Sequence, residues 1–426
     1  MNIYKYPSPS DYEQLAQRTE IDLSNLFDTV KDVLAQIKQE GDKAVYELGK
    51  KFDGADLKSL LVSEAEIEKA CSEVSDDLKE AINQAKNNID KFHASQRFIG
   101  QKIDTMPGVT CWQKSMPIEK VGLYIPGGTA PLFSTVLMLA VPANIAGCKE
   151  IVLCSPPNKE GKLHPAILYT ASLCGIKKIF KIGGIQAIGA MAYGTESVPK
   201  VYKIFGPGNR YVTAAKQLVS LKDVAIDMPA GPSEVQVMAD ESANVAFIAS
   251  DLLSQAEHGA DSQVIFTTTY EPIIEAVKTE LDKQLNQLPR KEVAEKALQN
   301  SRVILFKSMD EMVAYTNVYA PEHLILSVNN CDAIADQITN AGSIFLGNYT
   351  PESAGDYASG TNHTLPTHSY ARAYSGVNLD SFMKRITLQK ITKEGLNALG
   401  PFIEKMAEEE QLEAHKNAVT LRLKSN

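Results

Sequence analysis

Between residues 120 and 347 short apolar, β-branched runs alternate with segments of helical periodicity, and this alternation restricts the fold more than any other feature. The runs VGLYIP, EIVLCSP, IKKIFKIG, VYKIFG and VAIDMP read as strands, with VLMLAVPANIAG, HPAILYTASLCG, IQAIGAMAYG and RYVTAAKQLVS between them as helices. After a hinge at Ala230, Gly231 and Pro232 the alternation resumes. EVQVMAD, QVIFTTT, RVILFK, HLILSV and SIFLG read as strands; ANVAFIASDLLSQAEHG, PIIEAVKTELDKQL and CDAIADQIT read as helices. Strands that are apolar along their whole length are covered on both faces, as in parallel sheets flanked by helices. Two such blocks imply an α/β chain with two parallel sheets.

Outside this region the pattern is helical. Residues 1–20 read as a short polar arm. In the helical stretch 21–100, Ile67, Ala70, Cys71, Val74 and Leu78 fall on one stripe of an amphipathic helix, with a solvated charged face opposite. From residue 376 the pattern is charged helix without strands, too small for its own core, so this tail must pack on something, a neighbouring subunit included. The 426 residues leave room for two or more domains. A net charge of −9 argues against a nucleic-acid binder and suits either a cationic small substrate or plain solubility. The first residues show no secretory signal, and no window holds the roughly 18 apolar residues of a membrane span. Six scattered cysteines without a CxxC pair fit a reducing compartment and mostly buried thiols. The expected setting is the cytoplasm.

The glycine signals are short. GPGNRY (206–211) follows a strand and precedes a helix but lacks the third glycine of GxGxxG; IPGGTAPL (125–132) also follows a strand. Taken alone these are tight turns or a sheet-edge anion site. Ionisable residues concentrate further on. Gln255 and His258 are spaced i, i+3, so both can meet one ion. Glu322 and His323 follow Pro321, Asp356 and His363 lie in a glycine-rich segment, and Glu410 and His415 lie near the C-terminus. Four such histidines leave two readings open, hydrogen-bonded structural residues or a metal or acid–base site, because the spacing matches neither HExxH nor paired CxxC. His93, His164 and His368 read as surface or capping residues. Cys154 lies in an apolar run and Cys111 has no histidine beside it, so neither is expected to be a nucleophile.

The strings VGLYIPGGTAPL, AIDMPAGPSEV, ASDLLSQAEHG, YAPEHL, SAGDYASGTNHTLPT and LEAHKNAVTLR, in this order, resemble the signature blocks of histidinol dehydrogenase. The resemblance runs from about residue 120 to the C-terminus. It implies a cytoplasmic homodimer with shared active sites, each subunit holding one zinc ion and using NAD to oxidise L-histidinol through L-histidinal to L-histidine, the last steps of histidine biosynthesis. The expected fold is two incomplete Rossmann-like domains with N-terminal and C-terminal helical extensions. Residues 21–119 and 231–375 would form a first domain with the metal and catalytic residues, residues 120–230 a second domain on the NAD side, and 376–426 a tail on the partner subunit. The zinc ligands implied are Gln255, His258, Asp356 and His415. Glu322 and His323 are implied as the acid–base pair. Ser233, His363 and Glu410 would contact substrate together with the metal ligands and the acid–base pair, and Tyr124, Gln186 and Asn209 would contact NAD.

These residue types suit the chemistry. A neutral histidine can take the hydroxyl proton while hydride leaves, and a carboxylate beside it can activate the water that adds to the aldehyde. Zinc with mixed nitrogen and oxygen ligands can orient the substrate's imidazole and amino nitrogens. Three other readings are a dehydrogenase of another small vicinal amino alcohol or diol, a zinc hydrolase, and a non-catalytic nucleotide-binding module. NADH absorbance on adding histidinol separates dehydrogenase from hydrolase, and a non-catalytic module has little use for so many ionisable groups.

Overall fold

The computed structural model describes residues 1–18, 24–127, 130–229 and 231–425. Ala230 of the expected hinge, and Gly128 and Thr129 of the first glycine turn, lie outside them. The ten expected strands, joined by an eleventh at residues 2–5, form two sheets, each with every neighbouring pair parallel. One holds five strands in the spatial order Lys178–Lys181, Glu150–Ser155, Lys120–Tyr124, Lys203–Phe205, Ala225–Ile226. The other holds six, in the order Asn2–Lys5, Arg302–Leu305, Gln263–Thr268, Glu234–Ala239, His323–Ser327, Ser343–Leu346.

The start of the expected polar arm is therefore an edge strand. Its backbone is tied at both ends, by Asn2 N–H to Ser301 O at 3.0 Å and Tyr6 N–H to Leu305 O at 2.7 Å. Four exposed residues at an edge carry no apolar face, which is why the pattern reads as an arm.

The N-terminal helices do not pack as the expected division places them. Helices Ser24–Glu40 and Asp42–Phe52 lie on Gly184–Tyr193, with the first also on Arg210–Ser220, while Glu64–Glu73 lies on Pro165–Leu173 and Asp76–Ala94 on Phe133–Ala146. They thus cover the five-stranded sheet's side of the molecule. Helix Phe133–Ala146 is buried nearly all round, so it needs a second layer outside it. Val30, Leu34, Ile37 and Val45 join one core with Tyr124, Ile188 and Val212. The stripe from Ile67 to Leu78 is also divided. Ser63 and Glu66 form a capping box that starts one helix, and Ser75 Oγ accepts from Leu78 N–H to start the next.

Two compact units result. The first comprises residues 1–96 and 119–382, and the second residues 97–118 and 383–426. In the second, strands Ile103–Met106, Val109–Pro117 and Met383–Ile391 form an antiparallel sheet, followed by helices Lys393–Glu409 and Glu413–Lys424. The tail expected to lack strands thus begins with a nine-residue one. Most of its side chains are exposed, so no buried face marks it in the sequence, and it is held by backbone pairing along Val109–Pro117. Among the described residues no helix is long and apolar enough to cross a membrane.

Candidate active site

The two sheets of the first unit meet one cleft of about 790 Å³, a size suited to small ligands. Pro126 and the 206–209 turn line it from the carboxyl ends of the five-stranded sheet, and Ser233, Ser262, Glu322 and His323 from the amino ends of the six-stranded one. Ligands in open α/β sheets gather beyond carboxyl ends, where strand order reverses. The five-stranded sheet conforms: the chain steps outward from Lys120–Tyr124 in one direction, then returns to its other side with Lys203–Phe205. The six-stranded sheet reverses beside Glu234–Ala239 but turns its amino ends to the cleft.

Glu322 and His323 stand where strand His323–Ser327 begins beside Glu234–Ala239, and both are buried. The backbone of Glu234 meets both. Its N–H donates to Glu322 Oε2 at 2.9 Å, and its carbonyl accepts from His323 Nδ1 at 3.2 Å. A carbonyl only accepts, so Nδ1 carries a proton, and in the neutral ring Nε2 holds the lone pair. Burial pushes Glu322 up to about 8. Burial opposes a charge on His323, but the surrounding Glu322, Glu352 and Asp356 carboxylates outweigh it and raise the imidazole well above its ordinary value. A cation held by Glu352 and Asp356 would offset that attraction and favour the neutral ring.

Gln255 ends helix Val245–Ala256 and His258 follows it, while Glu352 and Asp356 stand one turn apart on helix Glu352–Tyr357. His258, Glu352 and Asp356 can bring ligand atoms within 4.8 Å of one another. His258 Nε2 lies 3.9 Å from Asp356 Oδ2, and His323 Nε2 lies 3.6 Å from Asp356 Oδ1. Both amide atoms of Gln255 and both carboxylate oxygens of Glu352 are buried without a hydrogen-bond partner among the described residues. Orphaned polar atoms beside a mixed nitrogen and oxygen donor set fit a divalent cation such as zinc. Glu352 had no assigned role in the sequence reading; its signal was the i, i+4 spacing to Asp356 directly after Pro351. His363 also lines the cleft, donating from Nδ1 to Asp356 O at 2.9 Å and accepting at Nε2 from Thr135 Oγ1 at 3.1 Å.

On the other wall, Asn209 caps helix Arg210–Ser220 by accepting from Tyr211 N–H at 3.0 Å and Val212 N–H at 3.2 Å. The turn before it is fixed by a buried ion pair. Lys216 Nζ meets Asp227 Oδ1 at 2.5 Å and donates to Gly206 O at 2.8 Å, while Gly206 N–H donates to Asp227 Oδ2 at 2.9 Å. Tyr124 and Gln186 belong to the same sheet edge but are buried and do not line the cleft. Tyr124 OH accepts from Gly184 N–H at 3.1 Å, and Gln186 Nε2 donates to Asp53 Oδ2 at 3.2 Å.

Glu410 and His415 are exposed residues of the second unit's helical hairpin and are not among the residues lining this cleft. One histidine read as a surface or capping residue departs from that: His93 is fully buried against Ile89 O. His368 is exposed, at the cleft, and His164 caps its helix, accepting from Ala166 N–H at 3.2 Å. Cys154 is buried in its strand, which pushes its thiol pKa up and leaves it inert.

The family model for histidinol dehydrogenase matches residues 16–423. A histidinol dehydrogenase of Bacteroides thetaiotaomicron is 63% identical over 423 residues, covering 99% of each chain. One from Aliivibrio fischeri is 52% identical over 99% of this chain and 96% of its own. The crystal structure of histidinol dehydrogenase from Elizabethkingia anophelis is 58% identical and superimposes with a TM-score of 0.97, covering 100% of this chain and 98% of that one.

Proposed function

This chain belongs to the histidinol dehydrogenase family, and from that premise we propose that Glu322 and His323 are the acid–base pair that carries out its reaction in the cleft. The enzyme is an NAD-dependent, zinc-binding oxidoreductase that converts histidinol to histidine in histidine biosynthesis. The observation that carries the reading is the shared backbone contact at Glu234, which leaves His323 Nε2 free and brings a carboxyl group of raised pKa beside it. In the first oxidation His323 Nε2 takes the hydroxyl proton as hydride leaves for NAD, giving the aldehyde. Glu322 then takes a proton from water, which adds to the aldehyde carbon. Once His323 has released its proton to solvent and a second NAD has replaced NADH, the hydrate anion loses its hydroxyl proton to His323 and a hydride to that NAD, giving the carboxylate. A carboxyl group near neutrality is well matched to that proton transfer.

Gln255, His258 and Asp356 hold zinc in this reading, with His415 completing the set, and Glu352 is supported as a further donor by its unpartnered oxygens. When bound, zinc orients the substrate's nitrogen atoms and stabilises developing charge. Ser233, His363 and Glu410 contact substrate. Asn209 meets NAD at a helix N-terminus, a natural anion site; Tyr124 and Gln186 are assigned to NAD as well, although both are engaged with their own wall. The enzyme works as a cytoplasmic homodimer. Phe402, Met406, Leu412 and Leu421 are exposed on the helical hairpin that also carries Glu410 and His415, an apolar surface suited to a second copy of the chain.

The test follows NADH formation from histidinol and, separately, from histidinal. H323N should slow both by a factor on the order of 10² to 10⁴. E322Q should slow histidinal oxidation more than histidinol oxidation; equal losses on the two substrates would contradict its role with water.

A further inference from the structure

Glu234 does more than offer its backbone to Glu322 and His323. Its carboxylate is buried and completely engaged: Oε1 accepts from His368 N–H, and Oε2 accepts from Arg18 Nε at 2.7 Å and Nη2 at 2.6 Å. Arg18 comes from the N-terminal segment, far away in sequence, and its side chain is only 8% exposed. Its guanidinium lies 3.8 Å over the Tyr319 ring. Nη1 donates to Ala16 O at 3.1 Å and Ser369 Oγ at 2.5 Å, and Nη2 reaches Ala320 O at 3.4 Å. Ala320 ends helix Met309–Tyr319 in a left-handed conformation, φ 51°, two residues before Glu322. One planar fork thus joins the start of strand Glu234–Ala239 to the turn that leads into His323–Ser327.

We propose that Arg18 is a positioning residue for the acid–base pair, acting through Glu234 and Ala320 to set the two strand beginnings that orient Glu322 and His323. A buried ion pair is a weak source of stability, because desolvation offsets the attraction and apolar residues of similar volume often serve as well. What apolar residues cannot supply is direction. A guanidinium whose donors reach four separate acceptors permits few arrangements of the elements around it. General-base geometry is sensitive on that scale, since a displacement of about 1 Å can cost 10²-fold in rate.

The inference rests on the acid–base reading, and the experiment separates the two. The variants are R18M/E234M, R18K and H323N in the full-length, zinc-loaded enzyme. Readouts are Tm, zinc content, KM for NAD and histidinol, and kcat. R18M/E234M removes both charges together, so it should keep its zinc, a Tm near wild type and its KM for NAD, while kcat falls on the order of 10²-fold. R18K keeps the charge but loses the fork and should fall in between. A kcat within about twofold of wild type in folded R18M/E234M overturns the proposal. If that variant does not fold, R18K decides: wild-type kcat overturns it, and a fall of about tenfold or more with full zinc content supports it. Wild-type activity in H323N would instead remove the acid–base reading on which the proposal stands.

Discussion

Gln255 and Asp251 are one turn apart on the same helix, and each pays a different penalty for burial. Neither amide atom of Gln255 has a hydrogen-bond partner among the described residues, which costs on the order of 1–3 kcal/mol in a protein without its metal. Q255L should therefore raise the Tm of the chelated protein while weakening zinc retention, measured by thermal unfolding in excess chelator and by elemental analysis after dialysis. A lower Tm for chelated Q255L would contradict the orphaned-amide reading. Asp251 is pushed up to about 7 by burial. The folded state then binds a proton that the unfolded state releases near pH 4, so this contribution to stability is whole below about 4 and gone above about 7. D251N has no such slope. Its Tm advantage over wild type, measured on chelated protein, should be greater at pH 8 than at pH 5, by the equivalent of roughly 2 kcal/mol. An equal difference at both pH values would show that the Asp251 carboxyl is solvated.

The elements meet at turns whose residues have little freedom. Gly206 has φ 125°, and a Cβ there would stand 2.0 Å from Tyr124 O. This close approach joins the two strands at the point where strand order reverses, next to the Asn209 cap. G206A should cost more than about 2 kcal/mol through strain and displacement. In the protein that remains folded, the proposed contact of Asn209 with NAD predicts that KM for NAD rises more than KM for histidinol. Steady-state kinetics in both substrates checks this; a change confined to histidinol would assign the turn to the other ligand. Periodicity alone passes over the caps: Ser63 with Glu66, Ser75 and Asn209 each start a helix, and Ser75 divides what reads as one apolar stripe. The nine-residue tail strand was not legible either, because its pairing depends on a segment more than 250 residues away in sequence.

At the scale of the molecule, a lone subunit leaves Glu410 and His415 exposed on the second unit. If the helical tail completes the site of the partner, two inactive variants can complement each other. H258N and H415N, unfolded together and refolded as an equal mixture, should return roughly a quarter of wild-type activity, since half the dimers are mixed and each mixed dimer has one intact site. Mixed dimers verified by mass spectrometry but without activity would rule out sharing and return His415 to its own subunit.

The strands and their parallel order were legible because a buried parallel strand must be apolar throughout, whatever its neighbours. Gln255 with His258, and Glu322 with His323, were legible because contacts one helical turn apart or on adjacent residues are local. Tertiary structure alone decided that the N-terminal helices cover the five-stranded sheet, that residues 2–5 close the edge of the other, and that its amino ends face the cleft. It also decided that Glu352 brings a carboxylate oxygen close to His258 and Asp356, and that Arg18 reaches Glu234. The reason is the same in each case. Periodicity records whether a residue is buried, but not against what, and a charge buried beside a distant partner has the same sequence signature as one in water.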